Sequence, residues 1–450
     1  MQGVTLTFAL VLSVLVVALR PKYAFVVYLI SLLWYPSYLA VSIGTIDILA
    51  GRFVVAVLLM RCFFDDNIRR KFIWNRLDTL VTLSMVVYVG AYLITQVVPI
   101  AETLEGRAGF LMDTWCAYLA ARFIVTDRSK LISIIKCVSV ALVPLAILGV
   151  IESITHWQPY APLWRFSPWF RGGPIVSEGR YGFARAVGPF SHAILFGGVF
   201  AMFLPLIYYL RHERGDWRNF AYIIAGILLL GALSSMSSGP WVMVIVVIFC
   251  LAMEKHRKFI KPLFIFFLIS CILIGVASNR PFYHVIASWA NPLGGAGWHR
   301  AKLIDVAIEK FGEWWMIGYG DMDPGWGEYF GMGRSDITNE YILNGVRYGI
   351  LGVIALCAVL ARSFRGLIST YRKMSDPIVK SLCWAFGSLL FSVTIAWISV
   401  SFFGQLSTLV YCSIGMISSL CSSGFNWQVP SQVSLLRNHP VRMVEQVSVS

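Results

Sequence analysis

Four arginines lie close together in one short stretch of the chain, and their chemistry is the first functional signal of this sequence. The stretch from about residue 152 to 186 has no lysine and only two acids, Glu152 and Glu178; its arginines are Arg165, Arg171, Arg180 and Arg185. A guanidinium presents a planar set of donors that matches phosphate or carboxylate oxygens in pairs. The stretch therefore predicts a binding site for a lipid phosphate or pyrophosphate. Ordinary anionic headgroups or structural ion pairs are the alternative.

A second long stretch, from about residue 279 to 338, contributes one more arginine at the start of a predicted helix. Residues 299–315, HRAKLIDVAIEKFGEWW, repeat apolar side chains at helical spacing and place Arg300 on the first turn. The members of this apolar stripe are Leu303, Ile304, Ala307, Ile308 and Phe311. We expect the helix to pack over the membrane surface and to present Arg300 there. The alternative is a lid helix with a solvated arginine.

Three further polar residues are weaker candidates. Asp321 and Asp323 form a D-x-D pair, a spacing that can hold Mg²⁺ or Mn²⁺ beside phosphates. The pair lies in a Gly- and Pro-rich turn, where aspartate is favoured because it bonds to nearby backbone, so we expect no metal ion and no other cofactor. His192 precedes an apolar helix and could contact a phosphate or an acceptor, although a lone histidine there is more typical of a helix end.

The elements that must position these residues are predicted to be transmembrane helices. The 450-residue chain is 58% hydrophobic and 13% charged, whereas soluble domains carry roughly 25% charged residues, and its mean hydropathy is +0.72. Apolar runs as long as a hydrocarbon core is thick recur throughout the chain. We predict about thirteen spans, at roughly 3–19, 23–42, 45–63, 78–98, 108–126, 131–151, 187–209, 219–236, 238–253, 262–278, 339–361, 379–401 and 404–422.

Basic residues in the short loops predict the orientation of these spans. Alternate loops hold clusters such as Arg69, Arg70 and Lys71, and this side is expected to be cytoplasmic. The N-terminus and both long stretches then lie on the periplasmic face of a bacterial inner membrane. The net charge of +14 is explained by these loops, so we expect no nucleic-acid partner.

The predicted fold is an all-α, polytopic transmembrane bundle of about 12–13 spans with two large periplasmic loops, of which the second is partly helical. The loops are rich in tryptophan, unlike solvated linkers. The predicted parts are N-terminal transmembrane helices (1–151), a core (152–361) that includes the loops 152–186 and 279–338, C-terminal transmembrane helices (362–422) and a disordered cytoplasmic tail (423–450).

Several segments between about residues 150 and 360 follow one another in a characteristic order. The arginine-bearing loop is followed by RAVGPFSHAILFGGVFAMFLPL, a serine-rich turn SSMSSGPW, the loop helix with its MIGYG turn, and TNEYILNGVRYGILGV. This order resembles the O-antigen ligase and O-antigen polymerase superfamily. Its members show an arginine element before a span, an arginine-led loop helix, and a His-Asn-x-x-Leu element followed by a glycine-containing segment.

The resemblance implies roles for individual residues. Arg185, with Arg180 as the other candidate, is similar to the first loop arginine of the family, and Arg300 is similar to the arginine that leads the loop helix. Asn339 and Tyr341 match the asparagine and aromatic positions of the last element, and its two glycines match Gly349 and Gly352.

One departure from the family pattern concerns the proton acceptor. Thr338 stands where the ligases have a histidine, and a threonine cannot act as a base at neutral pH. The departure favours a polymerase over a ligase. Asp336 or Glu340, on either side of it, could accept the proton of an acceptor hydroxyl.

The activity that the resemblance implies is transfer of glycan units from an undecaprenyl-pyrophosphate carrier to an acceptor hydroxyl, as a metal-independent glycosyltransferase. We expect a polymerase for exopolysaccharide or O-antigen. The alternatives are an O-antigen ligase acting on lipid A core, a lipid-linked oligosaccharide transporter or flippase, and a non-catalytic partner in an envelope complex. Expected partners are the lipid-linked glycan, a glycan or lipid acceptor, membrane lipids and other polysaccharide-assembly proteins.

The predicted site residues fall into two groups. The predicted catalytic residues are Arg185, Arg300, Asp336 and Glu340. The predicted substrate-binding residues are Arg165, Arg171, Arg180, His192, Asn339 and Tyr341.

Overall fold

Long uncharged apolar runs fold as helices in a bilayer because a helix satisfies its own backbone hydrogen bonds, which lipid cannot do. The computed structural model describes residues 1–43, 46–168, 179–279, 281–289 and 297–428. Within them, seven helices are long and apolar enough to cross a membrane, and three shorter helices are also apolar. The prediction of a mostly helical membrane bundle is confirmed.

The first part of the chain contains eight helices and one β-hairpin. A π-helical segment, Met112–Cys116, joins two of the helices. The elements in chain order are α1 (Gln2–Ala18), α2 (Pro21–Trp34), β1 (Ala40–Ile43), β2 (Ile46–Leu49), α3 (Ala50–Phe64), α4 (Asp66–Arg69), α5 (Arg76–Ile94), α6 (Ile100–Leu111), α7 (Ala117–Ile124) and α8 (Arg128–Thr155).

A short β-hairpin interrupts the otherwise helical bundle and replaces the end of the predicted span 23–42 and the start of the predicted span 45–63. The strands are antiparallel, with Ala40 opposite Leu49. They alternate β-branched apolar residues with polar ones, a period that suits a strand better than a helix. Across the hairpin the Ser42 hydroxyl donates to the Asp47 carboxylate at 2.6 Å.

The second part of the chain contains ten further helices. Short 3-10 segments at Ala161–Phe166, Leu210–His212, Arg257–Phe259 and Trp326–Phe330 lie in the connections. The helices are α9 (Ala193–Tyr209), α10 (Trp217–Ser234), α11 (Ser238–Met253), α12 (Ile260–Ala277), α13 (Phe282–Trp289), α14 (Gly297–Glu309), α15 (Phe311–Trp314), α16 (Glu340–Lys373), α17 (Pro377–Ala396) and α18 (Gly404–Leu420).

Helix α9 is the centre of the bundle. All of its residues except Ile194 and Tyr208 are buried, and it packs against α8, α10, α11, α17 and α18. A Cβ atom on Gly197 would clash with the Ser235 hydroxyl oxygen, so a glycine is needed for α9 to approach the connection between α10 and α11. We call the end of the bundle that carries this connection the loop end, and the opposite end, where Arg211, Arg257 and Arg372 lie, the basic end.

Helix α12 has the opposite environment. It contains no buried residue, and its substantial contacts within the described chain are with the segments on either side of it, Arg257–Phe259 and α13. The described chain therefore leaves its side chains uncovered, which a bilayer would permit because lipid tails are as apolar as leucine.

The second long loop has a small apolar core of its own. Leu303, Val306 and Ala307 of α14 pack with Trp314, Trp326, Ile337 and Val346. The prediction of one helix over 299–315 is wrong in two respects: the helix ends at Glu309, and Ile308 and Phe311 are exposed. The buried face includes Val306 because the Trp314 ring, whose Nε1 donates to the Ala307 carbonyl at 2.9 Å, covers that side.

Helix α16 is interrupted at Gly349, which has φ 69° and ψ −171°. The loop that precedes the helix fills the gap. The amides of Tyr319 and Gly320 donate to the carbonyls of Val346 and Arg347 at 2.6 and 3.1 Å, and the Ile350 amide donates to the Trp315 carbonyl at 2.7 Å. Loop and broken helix therefore satisfy each other's backbone groups, as buried irregular backbone requires.

The start of the C-terminal tail departs from the prediction of disorder beyond residue 422. Phe425 is buried, and Asn426 exchanges backbone hydrogen bonds with Thr126 and Arg128. Residues 429–450 lie outside the described residues.

Candidate functional site

Three arginines from separate segments converge on the turn between α10 and α11. Arg180 donates to the Met236 carbonyl at 3.3 Å, and Arg185 donates to the Ser237 hydroxyl at 2.8 Å. Arg300 donates to the Ser238 hydroxyl at 3.2 Å. We call Arg180, Arg185 and Arg300 the arginine cluster; the structure brings together three residues that the sequence predicted from loops about 120 positions apart.

Arg180 is held by a tight turn of its own loop. Its backbone exchanges two hydrogen bonds with Phe183, at 2.8 and 3.0 Å. The turn requires positive φ at Tyr181 and Gly182, and glycine adopts such angles without steric cost. The turn aims the Arg180 side chain back at Met236.

The backbone around Arg185 is fixed by the ends of two helices. Ser153, near the end of α8, exchanges two hydrogen bonds with Ala184, each of 2.9 Å, and the Ala186 amide donates to the Ser234 carbonyl at the end of α10. The buried Glu152 carboxylate then accepts the amides of Val187 and Gly188 at 2.9 and 3.0 Å. This segment is therefore rigid on both sides of Arg185.

Arg300 reaches the same turn from the second loop. It lies on the first turn of α14, which is anchored through Leu303 and Ala307 in the loop's own core. A side chain on a packed helix is positioned more precisely than one on a free loop.

The electrostatics of the arginine cluster favour an anionic ligand. Within the described residues, none of the three guanidinium groups makes an ion pair, and the buried Nε of Arg185 has no hydrogen-bond partner. Burial, and then the neighbouring Arg180, lower the pKa of Arg185 to about 10, and the same two causes lower that of Arg300. Partly buried like charges without counter-ions are costly, and an anion bound between them would remove that cost.

His192 lies beside the cluster but serves the fold in this structure. It is the N-cap of α9, and its Nδ1 accepts the Ile194 amide at 3.1 Å. Burial, followed by Arg185 and Arg180, lowers the pKa of His192 to about 4. The ring is thus neutral at pH 7, with Nε2 carrying the proton.

The structure does not place the two remaining arginines of the first loop, Arg165 and Arg171, in the arginine cluster. Arg165 is exposed, with its guanidinium 4.7 Å from the ring centroid of Phe166, and no contact within the described chain joins it to the turn 235–238. Arg171 lies outside the described residues.

A second polar group lies next to Arg300. His299 is buried, its ring centroid lies 4.3 Å from that of Phe330, and its Nε2 has no hydrogen-bond partner among the described residues. Burial lowers the pKa of His299, while the nearby Asp336 carboxylate acts in the opposite direction. Asp336 itself is exposed, and the Thr338 hydroxyl, two residues on, is likewise without a partner in the described chain.

The side chains of Asn339 and Tyr341 both make hydrogen bonds within the protein that hold the start of α16 in place. Asn339 is the N-cap: its Oδ1 accepts the amides of Tyr341 and Ile342, and its Nδ2 donates to the Ile398 carbonyl at 2.8 Å. The Tyr341 hydroxyl donates to the Thr394 carbonyl at 3.0 Å. Both residues tie the start of α16 to the end of α17 and the connection after it.

The Glu340 carboxylate is also engaged by protein groups. One oxygen accepts the Phe402 amide at 3.0 Å and the other accepts Asn344 Nδ2 at 3.1 Å. A carboxylate with donors on both oxygens is less available as a base than the exposed Asp336.

The D-x-D pair is built as a turn. The Asp323 carboxylate accepts from the Gly325 amide at 2.9 Å and from both the amide and the hydroxyl of Ser335, which lowers its pKa. Asp321 is exposed. Among the described residues, no group of three or more histidine, cysteine, aspartate or glutamate side chains could hold a metal ion.

Sequence reasoning missed four residues of this region. The hydroxyls of Ser237 and Ser238 accept hydrogen bonds from Arg185 and Arg300. Glu152 holds the backbone after Arg185 in place, and His299 lies beside Arg300. The serine-rich turn was visible as a motif, but nothing in it shows which hydroxyl faces which loop. Comparison with known proteins adds no family, because neither a protein-family model nor a curated protein matches the chain.

Proposed function

We propose that the protein is a membrane glycosyltransferase that takes glycan units from a polyprenyl-pyrophosphate carrier, most simply undecaprenyl pyrophosphate, and joins them to an acceptor hydroxyl as a polysaccharide polymerase. The observation that supports this is the arginine cluster: three guanidinium groups on one turn, without ion pairs in the described chain. Polyprenyl pyrophosphate combines the two features that this position suits, an anionic head and an apolar tail.

The cluster suits the leaving group of such a reaction. When the bond between the sugar C1 and the pyrophosphate oxygen breaks, negative charge grows on the pyrophosphate. Guanidinium donors already in place stabilise that charge without reorganising, and such stabilisation commonly contributes more to catalysis than any other single effect. In this proposal Arg185 and Arg300 hold the pyrophosphate, and Arg180 adds a third donor.

The acceptor hydroxyl must lose a proton, and the group around His299 supplies candidates. Asp336 is exposed and lies near His299, whose Nε2 is unpartnered within the described residues. We assign the base to Asp336 and place His299 beside it, in preference to Glu340, whose oxygens are both engaged. Such a base contributes about 10²–10⁴-fold.

The orientation completes the proposal. Within the described residues, the seven long helices and the three shorter apolar ones supply ten crossings, and α3, the run of α6 and α7, and α18 would complete the thirteen that the sequence predicts. The loop end then faces the periplasm of a bacterial inner membrane, because the opposite end carries the basic residues. The donor would then meet the acceptor outside the cytoplasm.

A deletion strain complemented with variants tests the activity. Polysaccharide gels of cells carrying Arg185→Ala or Arg300→Ala should show loss of long chains while the protein still inserts in the membrane. Arg165→Ala is the matched control, because this arginine lies in the same loop but is exposed and away from the turn; it should leave the ladder intact. In a purified assay each cluster variant should be slower by about 10²–10³-fold.

The pattern of products separates the candidate activities. Single repeat units on the core indicate loss of a polymerase, whereas full-length polymer left on its lipid carrier indicates loss of a ligase. Normal chain-length ladders in both cluster variants would contradict the proposal.

The break in α16 gives a lipid-linked oligosaccharide flippase some support as a second candidate, because transporters place broken helices at their substrate sites. Here the loop residues Trp315–Gly320 occupy the break, which favours the glycosyltransferase. Lipid-linked substrate that reaches the outer face only when this protein is present would favour the flippase instead.

A further inference from the structure

An apolar groove lies at the basic end of the bundle, away from the arginine cluster. The groove has a volume of about 310 Å³ and lies between α11, α16 and α17, lined by side chains such as Phe249, Met253, Leu367, Trp384 and Phe391. Trp384 Nε1 donates to the Cys250 carbonyl at 2.8 Å, so α17 is tied to α11 at the groove's edge. The groove is therefore preformed.

One arginine stands over the aromatic edge of this groove. The Arg257 guanidinium carbon lies 4.8 Å from the Tyr371 ring centroid and 5.4 Å from that of Trp384, and both rings line the groove. Arg257 is exposed and makes no ion pair with any described residue. The nearest acid along the chain, Glu254, is paired with Arg211 at 2.8 Å. A positive charge is thus left free beside an apolar groove.

The groove is open towards the bilayer. Helix α12 follows Arg257–Phe259 directly, yet it contributes only its first residue, Ile260, to the groove's lining. The rest of α12 has no buried side chain and does not cover the groove. In a membrane, hydrocarbon chains must occupy such a space.

We propose that this groove binds an acyl chain of one anionic phospholipid, whose phosphate pairs with Arg257. The charge complementarity selects the headgroup: an anionic lipid satisfies the free guanidinium, and a basic residue at the surface contributes to such binding. A polyprenyl donor fits less well. The groove lies near Met253, at the opposite end of α11 from Ser238, a separation of about 22 Å along the helix. A donor whose pyrophosphate sits at the arginine cluster has no second phosphate for Arg257.

Native mass spectrometry of the full-length protein tests the site. The protein is released from micelles that contain equal amounts of phosphatidylglycerol and phosphatidylcholine with identical acyl chains. We expect one tightly retained phosphatidylglycerol, preferred about fivefold, the factor that corresponds to about 1 kcal/mol per basic residue. Arg257→Gln should bring the two lipids close to parity.

Two further variants make the result specific. Lys258→Gln removes an exposed charge from the same connection but leaves Arg257 in place, so the preference should persist. Gly387 lines the groove, and a Cβ there would meet nothing within 4 Å, so Gly387→Leu adds apolar volume to the groove and should abolish retention of either lipid. Equal retention of the two lipids by the unaltered protein, or an unchanged preference in Arg257→Gln, would refute the site. So would displacement of the lipid by added undecaprenyl pyrophosphate.

Discussion

Gly318 and Gly349 lie back to back where the second loop enters the break in α16. A Cβ on Gly318 would lie 2.8 Å from the Gly349 nitrogen, and a Cβ on Gly349 would lie 2.5 Å from the Met316 carbonyl oxygen. Both glycines have positive φ. No other residue type allows the two backbones to approach so closely, so this contact anchors the loop that carries Arg300 to the membrane helix.

Gly349→Ala should destabilise the protein by about 2 kcal/mol or more, because it combines backbone strain with a clash against backbone atoms. The measurement is thermal unfolding in detergent micelles. Gly226→Ala in α10 is the control: its Cβ would meet nothing within 4 Å, and alanine is the better helix former, so the melting temperature should hold or rise. Equal melting temperatures for the two variants would contradict the role given to the break.

Glu152→Ala should lower the rate of glycan transfer although Glu152 does not touch the arginine cluster. It leaves two amides, those of Val187 and Gly188, without their acceptor, and each buried unsatisfied group costs about 1–3 kcal/mol. Glu152→Gln keeps an acceptor oxygen and should retain more activity. The readout that separates positioning from general damage is the KM for the lipid-linked donor, which should rise in Glu152→Ala under conditions where its fold persists.

Acid should destabilise the protein through His192. Its pKa is lowered to about 4 in the folded chain, whereas an unfolded histidine titrates near 6.5. Between these values the unfolded state binds the extra proton, so this contribution is complete above about pH 6.5 and is lost as the pH falls towards 4. His192→Asn keeps an N-cap acceptor and removes the titration. Its melting temperature should therefore fall less between pH 6.5 and 4.5; parallel curves for the two proteins would refute the assignment.

The buried pair of Asp78 on α5 and Arg122 on α7 should be the most sensitive ion pair of the bundle. The two side chains meet at 2.8 Å, nearly without solvent exposure. Arg122→Met leaves a buried carboxylate uncompensated, which costs about 3–5 kcal/mol. Asp66→Ala breaks an exposed pair with Arg69 and should change the melting temperature little. A double variant, Asp78→Leu with Arg122→Met, should recover part of the loss.

Asp336→Asn should slow glycan transfer by about 10²–10⁴-fold if this carboxylate accepts the acceptor's proton. Its exposure makes a folding defect unexpected, so the melting temperature serves as the control. A rate close to that of the unaltered protein would move the role to His299 or Glu340.

The sequence predicted the apolar helices of the bundle because their signal is local. Apolar runs, a helix stripe and basic loops can each be recognised within a window of some twenty residues. The hairpin at Ala40–Leu49 was missed since its apolar β-branched residues continue the run of the flanking helices. Ile308 and Phe311 were misplaced because the partner that defines the buried face, Trp314, comes from beyond the stripe.

The contacts within the candidate site could not be predicted from local sequence signals. Arg165 and Arg185 look alike in sequence, yet only Arg185 meets the turn after α10 in the described chain, because Ser153 and Ala186 tie its backbone to helix ends. The contact between Glu152 and Gly188 spans 36 positions, and that between Arg300 and Ser238 spans 62. Such pairings depend on how α8, α10 and α11 pack, which no single stretch of sequence contains.

We expect the tilt of helix α12 to depend on the thickness of the bilayer. Its 18 residues extend over about 27 Å, slightly less than the roughly 30 Å of an average hydrocarbon core. The other long helices pack against neighbours, whereas no described neighbour covers α12, so we expect it to tilt at small cost to match a thinner or thicker membrane. Its far end continues into α13, which packs on α14, the helix that presents Arg300 to Ser238. We therefore expect a tilt of α12 to act on the contact between α13 and α14, and through it on the position of Arg300.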